Sequence, residues 1–131
     1  MTVLVDANVV LDLATNSEWA DWAASQFAAL SDEHLGVNQL IFAEVSYSFR
    51  SASELDHLLE SLEISRFDLP WEAAFPAARA FLRYRRSGGT RMSLLPDFYI
   101  GAHAQVSGLT LLTRDSTRYR TYFPEVRLIA P

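Results

Sequence analysis

Thr2-Val3-Leu4-Val5-Asp6-Ala7-Asn8-Val9-Val10-Leu11 decides how the rest of the chain is read. Thr2 to Val5 is short, β-branched and apolar without alternation, the pattern of a strand covered on both faces. Asp6 ends the run, and Val9-Val10-Leu11 begins a helical turn. Strand, acidic turn and helix in succession is how a parallel sheet hands a strand to the loops that hold active sites. The far end of the chain repeats the arrangement. Leu109 to Thr113 reads as a further apolar strand, and Asp115 follows it by two residues.

Between these ends the periodicity switches repeatedly between helix and strand. Thr15, three residues before Glu18, predicts a capping box for a helix from Asn16 to Leu30, with Trp19, Trp22, Ala23, Phe27 and Leu30 along one stripe. Leu35-Gly36-Val37 reads as a strand, and Asn38 as the cap of a helix through Phe49. Ser53 and Asp56 predict a helix over Glu54 to Leu62, and Glu63 to Leu69 alternates as the third strand, ended by Pro70. Trp71 to Arg86 is helical, weakened near its start by Pro76; Ser87-Gly88-Gly89-Thr90 is a loop. Pro96 suits a helix start, that helix runs to Val106, and Ser107-Gly108 stops it. Leu109 to Thr113 is the fourth strand, Ser116 to Tyr122 a short turn or helix, and Val126 to Ile129 the fifth strand. Strands alternating with helices predict a three-layer α/β/α sandwich around a five-stranded parallel sheet, a single domain over residues 1–131.

Composition narrows the chemistry. Half the residues are apolar and 21% are charged, which excludes a largely disordered chain. No apolar run approaches the roughly 18 residues of a membrane span, and no basic segment precedes the first apolar stretch, so a cytoplasmic location is expected. Cysteine is absent, which removes disulfides, zinc–cysteine sites and thiol catalysis. All 11 basic residues are arginine, so chemistry that needs a lysine nucleophile, Schiff base or phosphate-binding lysine is excluded. The net charge of −5 looks unsuited to a polyanion; setting aside Asp6, Glu44, Asp97 and Asp115 leaves 12 acids against 11 arginines.

Those four acids are the candidate site. Asp6 and Asp115 follow strands, Asp97 sits at a helix start where negative charge is stabilised, and Glu44 lies in the largely apolar segment Leu40-Ile41-Phe42-Ala43-Glu44-Val45. Each aspartate alone is explicable as a turn or helix-start residue. Glu44 is not so easily explained, since a buried acid is costly unless paired. Several carboxylates without partnering histidine or cysteine suit a hard divalent cation, Mg²⁺ or Mn²⁺, better than zinc. Without a cation they oppose one another's ionisation and raise at least one pKa. Asn8 is positioned to fold back and fix the turn that aims Asp6, and Thr113 to hydrogen-bond a ligand carboxylate. Gly101, one turn after Asp97, can admit another element closely. Asp12 reads as an ordinary polar position, and His34, His57 and His103 lack ligand spacing.

Arg79, Arg83 and Arg86 share a helical face, with Arg91 across the glycine loop, and are candidate phosphate-backbone contacts. Arg114 and Arg118, beside Asp115, form a second candidate group together with Arg120; Tyr119 or Tyr122 is placed to stack a base.

Taken together, Val5-Asp6-Ala7-Asn8-Val9, Ala43-Glu44-Val45, Leu95-Pro96-Asp97-Phe98-Tyr99-Ile100-Gly101-Ala102 and Leu112-Thr113-Arg114-Asp115 resemble the PIN-domain nucleases. Within them the chain looks like the VapC-type toxins of bacterial type II toxin–antitoxin pairs, in order and spacing over nearly its whole length. That resemblance implies an acidic pocket of Asp6, Glu44, Asp97 and Asp115, metal-dependent RNA cleavage and a homodimer. It also implies a small VapB-like antitoxin in the groove near the pocket, with DNA met only through that antitoxin. One or two ions held chiefly by Asp6, Asp97 and Asp115 would activate water, with Glu44 positioning it, to leave a 5′-phosphate and a 3′-hydroxyl. The chain departs from the family in carrying Phe98 and Tyr99 where smaller residues are common. It also has Arg118 three residues beyond Asp115, with Tyr119 and Phe123 near the place of a packing phenylalanine.

Three other accounts compete. A related housekeeping RNA-processing nuclease would use the same chemistry. A phosphotransfer domain with an aspartate nucleophile is disfavoured by the missing lysine, and a non-catalytic interaction domain would need none of the four acids.

Overall fold

In the computed structural model, which describes residues 1–131, five strands pair in parallel in the order β3-β2-β1-β4-β5. They are β1 (Thr2–Val5), β2 (His34–Val37), β3 (Ile64–Arg66), β4 (Thr110–Leu112) and β5 (Leu128–Ile129). The helices are α1 (Ala7–Ala14), α2 (Ala20–Ala29), α3 (Gln39–Ser46), α4 (Ala52–Ser61), α5 (Ala74–Arg86), α6 (Leu95–Ser107) and α7 (Thr117–Tyr122). From β1 through β2 to β3 the chain steps one way across the sheet, and it then returns to β4 and β5 on the other side of β1. Helix α1 packs against α2 and α3, α3 against α4, and α5 against α6. The expected α/β/α sandwich with a five-stranded parallel sheet is what forms.

The central strand explains the first quoted stretch. Leu4 stands opposite Gly36 of β2 and Leu111 of β4, and Val3, Leu4 and Val5 are all fully buried. A strand with neighbours on both edges and helices on both faces has no solvent side, which is why its residues do not alternate.

Element ends differ from the sequence expectations where a nearer partner wins. Asp6 caps α1 directly, so residues 7–14 form a helix of their own. The capping box at Thr15 does not form; Thr15 ends α1 by donating its hydroxyl to the Leu11 carbonyl at 2.7 Å, and Asn16 reverses the chain at φ 50°. The next helix consequently starts at Ala20 rather than Asn16. Asn38 caps α3 as expected, accepting from the Ile41 N–H at 3.0 Å, but α3 stops at Ser46 instead of reaching Phe49. Ser51, not Ser53, caps α4 by accepting from the Glu54 N–H at 3.1 Å. The third strand spans only Ile64–Arg66, because past Phe67 the backbone turns to the Gln39 side chain, which accepts from Leu69 N–H at 2.9 Å. A single 3₁₀ turn over Trp71–Ala73 leads into α5, so Pro76 falls in the first turn, where a missing donor costs least. Gly108, at φ 63°, ends α6 as its position predicts. The last two strands are shorter than expected, Thr110–Leu112 and Leu128–Ile129.

Candidate active site at the carboxyl edge of the sheet

The strand order reverses between β1 and β4, and in open parallel sheets the crevice beyond the carboxyl ends at such a reversal is where ligands bind. Asp6 lies there as the last residue of β1's exit and the cap of α1. Its Oδ1 accepts the Ala7 N–H at 2.8 Å, while Oδ2 accepts two hydroxyls, from Thr113 at 2.8 Å and from Tyr119 at 3.1 Å. Only 5% of Asp6 is exposed, and that burial, reinforced by the charge of Asp97 and opposed by these hydrogen bonds, lifts its pKa from 3.8 to about 6.

Glu44 approaches from α3. Burial first, and then the charges of Asp6 and Asp97, push its pKa up from 4.5 to about 7. Its Oε1 is buried with no hydrogen-bond partner in the protein. Asp97, in the first turn of α6, is likewise raised by burial and by Asp115, against the opposing charges of Arg118 and Arg91. Arg118 donates Nη1 to Asp97 Oδ2 at 2.7 Å. Asp115 is exposed, with its N–H donating to the Thr113 hydroxyl at 3.1 Å. The four acids thus sense one another across the crevice, yet no three of them are close enough to make a ready-formed cation cage.

The donor chemistry nevertheless suits a hard divalent cation. All four acids offer carboxylate oxygens, one of them is buried and unsatisfied, and Asp6 and Glu44 have pKa values raised first by burial and then by neighbouring charges, both of which a cation would offset. Asp6, Glu44, Asp97 and Asp115 are the residues that would hold it.

Supporting residues take unexpected parts. The Asn8 side chain does not fold onto its own turn: its Oδ1 accepts the Arg114 N–H at 3.0 Å, and its amide reaches the Thr113 hydroxyl at 3.4 Å. It ties α1 to the loop after β4, because that loop's backbone donor lacks a sheet partner. Asp12, read as an ordinary polar position, is 3% exposed and accepts Arg114 at 2.7 and 3.2 Å as well as the Ser17 hydroxyl at 2.8 Å. Arg114 also lies 5.6 Å from the Trp19 ring centre, so its guanidinium is engaged on both sides. Arg83 donates to the Tyr122 carbonyl at 3.3 Å, Arg79 stands 5.9 Å over the Phe75 ring, and Arg86 and Arg91 are exposed.

Base stacking by Tyr119 or Tyr122 does not fit this arrangement. Tyr119 is 3% exposed and turned onto Asp6, and Tyr122 packs 5.2 Å from the Phe98 ring. Tyr119 is the contact to Asp6 that spacing alone misses; the one available signal is that a buried tyrosine hydroxyl needs a partner. His103 is also structural: its Nδ1 meets the Asn38 amide at 3.0 Å, and burial lowers its pKa.

Fold and crevice together define an acid-centred parallel α/β/α domain. The chain belongs to the PIN-domain family, whose sequence pattern matches residues 3–124. No curated protein matches the sequence. Among solved structures, VapBC2 from Rickettsia felis, bound to a promoter DNA fragment, superposes with a TM-score of 0.76 at 14% identity, covering 100% of this chain and 99% of that one. VapBC-1 from nontypeable Haemophilus influenzae gives 0.74 at 13% identity, covering 99% and 98%. FitAcB from Neisseria gonorrhoeae gives 0.68 at 19% identity, covering 97% and 96%. At these identities the likeness is one of fold. No helix of the chain is long and apolar enough to cross a membrane.

Proposed function

We propose that this chain is a metal-dependent endoribonuclease, the toxin of a type II toxin–antitoxin pair, acting on RNA phosphodiester bonds and neutralised by a VapB-like antitoxin. The observation that carries the reading is the crevice between β1 and β4, where burial, and after it the charge of Asp97 on Asp6 and of Asp6 and Asp97 on Glu44, raises two carboxyl pKa values beside a buried, unpartnered oxygen. Carboxylates packed this way are unfavourable on their own and become favourable around Mg²⁺ or Mn²⁺.

When bound, the cation supplies activation of water and neutralisation of charge on the reacting phosphate. The chain's own residues do the positioning. Thr113 and Tyr119 fix the Asp6 carboxylate by two hydroxyl donors, so its lone pairs face a set direction. Glu44, a carboxylate with a free buried Oε1, is suited to accept a proton from the attacking water once its raised pKa is offset by the cation. The water oxygen bonds to phosphorus as the P–O3′ bond breaks, and the departing 3′-oxygen takes a proton from solvent, giving a 5′-phosphate and a 3′-hydroxyl without use of the 2′-hydroxyl as nucleophile. Of the arginines that could meet an RNA backbone, Arg79, Arg86 and Arg91 have no carboxylate partner in the fold, whereas Arg83, Arg114 and Arg118 are engaged by Tyr122, Asp12 and Asp97. A homodimer, and DNA contact only through the antitoxin, complete the reading.

The test is cleavage of total RNA by purified protein with Mg²⁺ or Mn²⁺, against Asp6→Asn and against excess chelator. The expected result is a loss of about a hundredfold or more in either control, since removal of one charge-stabilising group commonly costs that much. Full-rate cleavage in chelator, or by a contaminant-free Asp6→Asn protein, defeats the reading. A protein whose growth inhibition survives Asp6→Ala together with Asp97→Ala is an interaction domain instead.

A further inference from the structure

Arg118 makes the one salt bridge that reaches any of the four acids. Its Nη1 lies 2.7 Å from Asp97 Oδ2, with 21% of the arginine side chain and 29% of the aspartate side chain exposed. The pair is therefore partly withdrawn from water, where a charge-assisted contact is worth more than at an open surface. Asp97 is also the acid that couples electrostatically to Asp6, Glu44 and Asp115 alike. A divalent ion drawn to that group would compete with Arg118 for the Asp97 carboxylate, whose Oδ2 the guanidinium already engages. A guanidinium and a dication cannot share one carboxylate at close range without strong mutual repulsion.

Next to Arg118 on α7, Tyr119 is buried and holds Asp6 through its hydroxyl. That anchor keeps the helix backbone in place, so only the long Arg118 side chain has to move. A guanidinium released inside an acidic crevice is left without its counter-anion, and the phosphate of an arriving RNA is the anion its planar fork fits.

We propose that Arg118 is the chain's own counter-ion for Asp97, displaced by the divalent cation and thereby delivered to the RNA phosphate. The inference rests on the nuclease reading of the crevice. It makes Arg118 a positioning residue whose availability depends on the cation, and it couples cation binding to RNA binding in both directions.

The experiment measures Mn²⁺ affinity of the full chain by the paramagnetic resonance signal of the free ion, for the native protein and for Arg118→Gln, Arg118→Lys and Asp97→Asn. Arg118→Gln should bind Mn²⁺ about three- to tenfold more tightly, because a competing charge is gone. Arg118→Lys retains the charge and should stay near the native affinity, which separates charge from packing. A second measurement follows a fluorescein-labelled RNA by anisotropy, in chelator and in Ca²⁺. Arg118→Gln should weaken RNA binding by about tenfold in Ca²⁺ and by less than about twofold in chelator, where Asp97 holds the native arginine. Unchanged or weaker Mn²⁺ affinity in Arg118→Gln, with Asp97→Asn still losing the ion, overturns the role of Arg118 and leaves the nuclease reading standing. Asp97→Asn that binds Mn²⁺ like the native chain removes Asp97 from the ion site and takes both down.

Discussion

At the level of single residues, Asp6 is held by three donors that reach it from three separate parts of the chain. The Ala7 amide is local, but the Thr113 and Tyr119 hydroxyls arrive from more than a hundred positions away. A buried carboxylate is tolerated only because such donors offset part of its desolvation. Tyr119→Phe keeps the ring packing and removes one donor. The expected outcome is a loss of about 1–2 kcal/mol in urea unfolding and a shift of the acid limb of cleavage to higher pH, since Asp6 then ionises less readily. A variant with native stability and an unmoved pH profile shows that the hydroxyl does not support Asp6. The acids were legible as candidates because charge after an apolar strand stands out. The Tyr119 contact was not, because nothing in the spacing of Asp6 and Tyr119 records that α7 lies over the end of β1.

Elements were read well where a pattern is local. The uninterrupted apolar run of β1, the Asn38 cap, the first-turn proline of α6 and Gly108 at its end each act through neighbours a few residues away. The expected caps fail where another partner wins: Ser51 takes the place of Ser53, and the Thr15 hydroxyl is used on the Leu11 carbonyl at the end of α1. Packing between elements rests on close contacts such as Gly101. A Cβ built there would lie 2.3 Å from the Phe123 ring, so glycine is what lets α6 and the end of α7 approach. Gly101→Ala should therefore cost about 1–3 kcal/mol, read as a lower urea midpoint with an unchanged slope. The native midpoint in that variant would show that Phe123 moves aside freely.

For the whole molecule, the acidic crevice links stability to pH. The folded pKa values of Asp6, about 6, and Glu44, about 7, lie above their ordinary values of 3.8 and 4.5. Between those limits the folded state holds more protons than the unfolded one. The contribution of these groups to stability is thus fully present below 3.8 for Asp6 and 4.5 for Glu44, and is lost as pH rises through about 6 and about 7. His103, lowered by burial, acts with the opposite sign only below its ordinary value of 6.5. In chelator, Tm should accordingly fall from pH 6.5 to 8, and Glu44→Gln should flatten that fall. A native Tm that holds level or rises over this range contradicts the burial and crowding of these acids in the crevice.

The sequence by itself determined the alternation of strands and helices, the two-sided burial of β1 and the four acids worth attention, because hydrophobic period and backbone capping are properties of neighbouring residues. Tertiary structure alone decided that Arg118 meets Asp97, that Arg114 is spent on a buried Asp12 and that Tyr119 turns inward to Asp6. Those are pairings of charge and hydroxyl across long stretches of chain. Their energies depend on distance and burial in space, which spacing along the chain does not encode.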